Sequence, residues 1–205
     1  MITIVDYDAG NLRSVKRACD HVGVESVITL DPDAVARAER VIFPGVGAAK
    51  SAMDTLKKRG LDDAIRAAHR RGVPILGICV GAQIILDRSE EGDTPSIGLI
   101  PGETVRFRPS NSRVKVPHIG WNEVRVEKPH PLLAGIEPGD EFYFVHSYYP
   151  RPRDAARVYA TADYDGAFCC ALGNENLFAT QFHPEKSGPL GLALLERFSK
   201  WNGTP

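Results

Sequence analysis

The chain has 205 residues, of which 43% are hydrophobic and 25% charged, and a net charge of −1. That length suffices for a substantial core in one large domain or two small ones. The near-neutral charge argues against a nucleic-acid or membrane-surface protein, which shows a basic bias, and no apolar run approaches the about 20 residues of a bilayer span.

Residues 2–6 read as a strand with an early acid, not as a leader with a basic start. Asn11 is placed to cap a helix over 12–22. Residues 24–30 form a second strand and 40–44 a third, which ends at the G-V-G turn of 45–47. Leu61, Ala64, Ile65 and Ala68 follow helical spacing up to Gly72. A fourth strand covers 73–78, and a helix continues over 82–87. From 97 to 179 the segments are shorter and turn-rich, with strands expected at 105–107, 123–126, 142–148 and 157–161, and a last one at 177–182. Hairpins and edge additions to the sheet are expected there. Leu190, Leu194, Phe198 and Trp201 share one face of a closing helix. Repeated β-α-β units predict a single α/β domain over 1–205. Its central, mostly parallel sheet is covered by helices on both faces, with antiparallel β additions in the C-terminal half.

The chemistry concentrates at 75–83, I-L-G-I-C-V-G-A-Q. An apolar strand ends at Cys79 with Gly77 and Gly81 two residues to either side, the pattern of a nucleophile elbow. An isolated cysteine is usually a buried structural thiol; the flanking glycines favour the nucleophile. Cys19, Cys79, Cys169 and Cys170 show neither C-x-x-C spacing nor a disulfide or zinc framework. That fits a reducing cytoplasm and a thiol free to react, with no metal or cofactor expected. A base is found at F-H-P-E, where His183 and Glu185 share one face of extended chain. His21 and His69 read as helix-surface residues and His130 as a turn residue. The P-G-V-G turn at 44–47 could aim backbone N–H groups at an oxyanion, although turning the chain is its commoner role.

These motifs together resemble the triad-type glutamine amidotransferases. Further stretches, among them K-V-P-H-I-G-W-N (115–122), V-H-S-Y-Y (145–149) and Q-F-H-P-E-K-S (181–187), are similar to the glutaminase subunits of imidazole glycerol phosphate synthases. The chain departs from that pattern at Val80 and Ala82, where Leu and Met are typical, and near Ala49, where an aromatic is. These changes bear on pocket shape and not on the triad.

The resemblance implies Cys79 as nucleophile, His183 as base and Glu185 as its orienting acid. It implies an oxyanion hole from Val46, Gly47 and Val80, and glutamine contacts from Gly47, Gln83, Glu91, His146, Ser147 and Tyr148. A separate (β/α)8-barrel cyclase is the implied partner, with Asn11, Trp121 and Lys186 at the interface and glutaminase activity held low until that partner is loaded. The glutaminase reading occupies the whole sequence, so the ammonia acceptor is expected on another polypeptide. Trp121 as a core residue is nearly as good a reading. Three rivals are disfavoured: the amidotransferase subunit of another pathway by K-V-P-H-I-G-W-N, a cysteine peptidase or other α/β protein with an elbow cysteine by the His-Pro-Glu placement, and a non-catalytic regulatory subunit by the presence of all three triad groups.

Overall fold

The computed structural model describes residues 1–8 and 10–205. The first half runs β1 (Ile2–Val5), α1 (Leu12–His21), β2 (Ser26–Thr29), α2 (Pro32–Ala36), β3 (Val41–Gly45), α3 (Ala49–Arg59), α4 (Leu61–Arg70), β4 (Ile75–Cys79) and α5 (Val80–Ile84). Short strands follow: β5 (Arg88–Ser89), β6 (Thr94–Pro95), β7 (Gly102–Arg106), β8 (His118–Glu123), β9 (Arg125–Val126), β10 (Glu141–His146) and β11 (Tyr148–Pro152). Then come β12 (Val158–Asp163), β13 (Ala167–Asn174), β14 (Leu177–Thr180) and α6 (Gly188–Lys200).

The main sheet has the order β2-β1-β3-β4-β14-β13-β12-β9. Its first five strands are parallel and its last three antiparallel. Every residue of β1, β3, β4 and β14 is buried, as unbroken apolar strands covered on both faces require. The helices flank this sheet in two groups, α1 against α6, and α2 and α3 against α4. Two small sheets complete the fold, β8 paired with β10, and β11-β7-β5-β6. Among the described residues no helix is long and apolar enough to cross a membrane.

The large mixed α/β sheet is as expected; several details differ. β14 is not an edge addition: it lies at the sheet centre, parallel to β4. The strand expected at 123–126 is two, β8 and β9, in different sheets, and the one at 142–148 breaks at Ser147. α5 begins directly after Cys79 and ends at Ile84, earlier at both ends than the expected 82–87. Helix α3 was not foreseen because alanines and one methionine make most of its buried stripe, a weak apolar signal. Trp201 follows α6 as its C-cap and is buried beside Phe198. His130 is buried and stacked on Phe178, with ring centroids 4.2 Å apart, and His69 is half-buried.

The loop after β14 is held from several sides. The N–H of His183 donates to Tyr143 O at 3.0 Å, and Ser187 Oγ donates to His183 O at 2.7 Å while accepting from Tyr143 N at 3.0 Å. Helix α6 packs so closely on it that a Cβ on Gly191 would overlap the Pro184 carbonyl. Gly191→Ala is therefore expected to lower stability by roughly 1–3 kcal/mol, read as a lower urea midpoint, and to reduce turnover by displacing the His183–Glu185 segment.

Candidate active site

The parallel pairing of β4 and β14 puts Thr180 opposite Ile78. Cys79 follows Ile78 by one residue and His183 follows Thr180 by three, so both groups emerge at the carboxyl ends of neighbouring strands, where open α/β sheets bind ligands. Cys79 has φ 55° and ψ −106°, a strained conformation for a residue with a Cβ, costing about 1–3 kcal/mol. The flanking glycines make that turn possible. A Cβ on Gly81 would overlap the Phe43 carbonyl, and one on Gly77 would lie 3.0 Å from Ala179 Cβ and 3.2 Å from the Gly81 carbonyl.

Beneath the thiol, His183 is fully buried and its Nδ1 is 2.6 Å from Glu185 Oε1. Glu185 is also shut from solvent, so the bond acts in a low-dielectric site and fixes the ring. Nε2 has no oxygen or nitrogen partner among the described residues, which leaves it for the sulfur. Burial opposes charge on His183, but the Cys79 sulfur and the Glu185 carboxylate outweigh it and raise the imidazole to about 10.

Asn11 departs from its expected role. It occupies the N-cap position of α1 with φ 76° but makes no side-chain cap bond. Its Nδ2 donates instead to Glu185 Oε1, the oxygen that also faces His183. Asn11 thereby ties the start of α1 to the triad carboxylate, a role its helix-start spacing concealed.

A cavity of about 240 Å³ opens above Cys79. Val46, Gly47, Val80, Gln83, Glu91, His146, Ser147 and Tyr148 all line it, so every residue expected to hold the oxyanion or the substrate reaches one space. Gln83 Nε2 donates to Tyr148 O at 2.8 Å and to Gln181 Oε1 at 3.1 Å. Both its protons are committed to protein, so Gln83 offers the cavity only its carbonyl oxygen. Glu91 accepts from the Ala49 N–H at 2.6 Å and so anchors the first turn of α3 while lining the cavity.

His146 also lines the cavity, but its ring nitrogens are engaged. Nδ1 donates to Tyr148 O at 2.8 Å, so Nε2 accepts from His118 Nδ1 at 3.1 Å. Burial pushes His118 down to about 4 and His146 to about 3, so both rings are neutral and packed among Phe107, Phe144 and Phe168. Sequence reasoning missed Gln181. It is fully buried, accepts from Gln83 and donates from Nε2 to Cys79 Sγ at 3.7 Å. Its only signal is its place two residues before His183. Pro117 and Val145 complete the lining.

The three expected interface residues lie on the outer surface near this site. Trp121 is 53% exposed, as is its neighbour Ile119 at 60%, which removes the core reading of Trp121. Trp121 sits edge-on to Tyr143, with centroids 6.1 Å apart, and Lys186 Nζ lies 5.8 Å from the centre of that same ring. Asn11 and Lys186 line a hollow with Gly10 and Val46. Val46 thus borders both this hollow and the cavity above Cys79.

The raised imidazole yields a prediction. In Cys79→Ala the sulfur that lifts His183 is gone while burial remains, so the ring should lose its proton at a pH well below 10. NMR titration of the His183 imidazole in both proteins measures this, and an unchanged titration would contradict the pairing.

Residues 3–200 match the class-I glutamine amidotransferase family. The chain is 51% identical to the imidazole glycerol phosphate synthase subunit HisH of Nitratidesulfovibrio vulgaris, across 98% of this chain and 96% of that protein. It is 49% identical to the subunit of the same name from Dechloromonas aromatica, over 98% of this chain and 96% of that protein. In fold alone it is similar to a chain of PurLQS from Thermotoga maritima, with TM-score 0.73, 24% identity and 96% of each chain covered. With an elbow cysteine, a buried histidine–glutamate pair and whole-length identity near one half, this chain belongs to the class-I glutamine amidotransferases and, among them, to the HisH subunits of imidazole glycerol phosphate synthase.

Proposed function

We propose that the chain, as one amidotransferase domain over 1–205, hydrolyses L-glutamine to L-glutamate and ammonia for histidine biosynthesis. The observation that carries this reading is the convergence of Cys79, His183 and Glu185 under a cavity lined by glycine-turn and amide groups. A buried imidazole raised by the sulfur beside it is suited to take the thiol proton and return it. Cys79 sulfur attacks the side-chain carboxamide carbon, and the carbonyl electrons move onto oxygen. His183 then protonates the nitrogen, the C–N bond breaks, and ammonia leaves behind a glutamyl thioester. Water, deprotonated by His183, attacks the thioester and releases glutamate and the thiol.

The oxyanion is assigned to the N–H of Val80 and an N–H of the 46–47 turn. Val80 opens α5, and the first N–H groups of a helix have no partner within it. Gln83 presents a carbonyl oxygen, which suits the substrate's N–H donors, and Glu91 suits its α-ammonium. Gly47, Ser147 and Tyr148 close the cavity around the substrate. His146, with both nitrogens engaged, shapes that wall by packing.

Ammonia released into neutral water is protonated and loses its nucleophilicity, so its acceptor must lie against this chain. The acceptor is assigned to a (β/α)8-barrel cyclase subunit that takes a phosphoribulosyl formimino carboxamide nucleotide to imidazole glycerol phosphate and aminoimidazole carboxamide ribotide. Trp121 and Ile119, exposed and apolar on one strand, are suited to anchor that partner, with Asn11 and Lys186 beside the hollow. Val46 borders both hollow and cavity, and Gly47 has φ +96°, open to glycine at little cost. A loaded partner is placed to act on the oxyanion turn by that route, keeping hydrolysis low without it. The chemistry needs a reduced thiol, and all four cysteines are free and buried, which supports a cytoplasmic location.

Glutamate release is the direct assay, run with and without the loaded cyclase. Cys79→Ala should abolish turnover, a loss of roughly 10⁴-fold or more; persistent hydrolysis would exclude the scheme. Trp121→Ala should weaken the complex by about 2 kcal/mol, near 30-fold in Kd by calorimetry. The uncomplexed subunit should melt as before, since the side chain is exposed.

A further inference from the structure

Tyr7, just beyond β1, is 2% exposed, and its hydroxyl is buried without a hydrogen-bond partner among the described residues. Its ring packs on Phe43 with centroids 5.3 Å apart, a contact that phenylalanine would make equally well. Burying a phenol O–H without an acceptor has a desolvation cost that a purely packing residue need not carry. Where the hydroxyl sits is specific. It occupies the place that a side chain at Gly45 would take, so that a Cβ there would overlap Tyr7 Oη. Gly45 is the strand residue opposite Cys79 and opens the turn assigned to the oxyanion. Tyr7 is also close enough to Cys79 that, after burial, the sulfur's charge is the next cause raising its phenol.

We infer that Tyr7 is a positioning residue whose O–H donates to the Gly45 carbonyl when the turn takes its catalytic orientation, and which has no acceptor among the described residues in the orientation seen here. The two ends of a trans peptide point in opposite directions. Tyr7 lies on the core side of Gly45 and does not line the cavity. When the Gly45 carbonyl turns down onto Tyr7 Oη, the N–H of Val46 therefore turns up toward the space above Cys79. The buried hydroxyl gains an acceptor in the same movement that supplies an oxyanion donor, so it biases the turn toward the working state. Val46 meets the outer hollow as well, where its Cγ2 would lie 3.2 Å from a Cβ on Gly10. Pressure on that hollow and the pull of the phenol act on one peptide. This inference rests on the partner-gated glutaminase reading above.

The test compares wild type and Tyr7→Phe as the complex with the cyclase subunit, assaying glutamate release with that subunit empty and with its nucleotide substrate bound. Phenylalanine keeps the ring and its packing, and a melting temperature at or above that of wild type confirms an intact fold. The expected result is about a tenfold loss of stimulated kcat with KM unchanged, while the unstimulated rate stays as it was. A packing role alone would leave the ratio of stimulated to unstimulated rates untouched. An unchanged ratio in Tyr7→Phe, with wild type stimulated, overturns the role of Tyr7 and leaves the gated glutaminase standing. Absence of stimulation in wild type overturns both. Should Tyr7→Phe melt lower, Tyr7→Met serves as the second variant: it lacks the hydroxyl, so a retained stimulation ratio overturns the inference and a collapsed one supports it.

Discussion

The chemistry depends on two strands lying side by side. β14 enters the sheet parallel to β4, although about a hundred residues separate them in sequence, and its register sets Thr180 against Ile78. Side chains along a strand alternate between faces, so a slip by one residue would carry Cys79 or His183 to the wrong side. Gly77 faces Ala179 across this pair, where a Cβ on Gly77 would lie only 3.0 Å from Ala179 Cβ. The same glycine gives α5 its space to start at once after Cys79. Strand pairing, elbow and triad are therefore one packing problem with a common solution.

Electrostatics then divides the site into layers. His183 and Glu185 lie below the thiol, away from solvent, where a charge pair is strengthened and solvent competes little for its bonds, and the half-buried Asn11 donates to Glu185 from the rim. Above them His146 in the cavity wall and His118 bonded behind it are two further imidazoles that burial keeps neutral. Of these three imidazoles His183 alone carries charge at neutral pH, because it alone has both the sulfur and a carboxylate beside it. The neutral pair instead builds an ordered chain. Asn122 Nδ2 is 3.4 Å from His118 Nε2, His118 meets His146, and His146 and Gln83 both donate to Tyr148 O. Gln181 closes that chain onto the sulfur. Amide and imidazole orientations around the cavity are thus set from strand β8, the strand that displays Ile119 and Trp121 to the outside.

The outer face and the inner cavity meet at Val46. A turn of two glycines around one valine is poor at holding itself, since glycine accepts either sign of φ. Its surroundings must decide its orientation: Gly10 and the α1 start from outside, the Tyr7 hydroxyl from the core. Asn11 belongs to both sides, since it lines the hollow while its amide holds Glu185.

By itself the sequence determined the α/β alternation, the elbow at Cys79, and the pairing of His183 with Glu185. Each is written in local patterns: apolar runs of strand length, glycines spaced by two, and a histidine and glutamate on one face of extended chain. The residues around the cavity were legible through family motifs whose members are far apart in the chain. Tertiary structure alone decided the rest. That β14 is central and not at an edge, that Asn11 serves Glu185 and not its own helix, and that Gln181 reaches the sulfur are all contacts between distant segments. No local periodicity encodes them, because an amide or a strand edge has the same composition whichever partner it finds. Neighbouring groups likewise separated one charged histidine from two neutral ones: all three are buried, but only His183 has a sulfur and a carboxylate beside it to outweigh that burial.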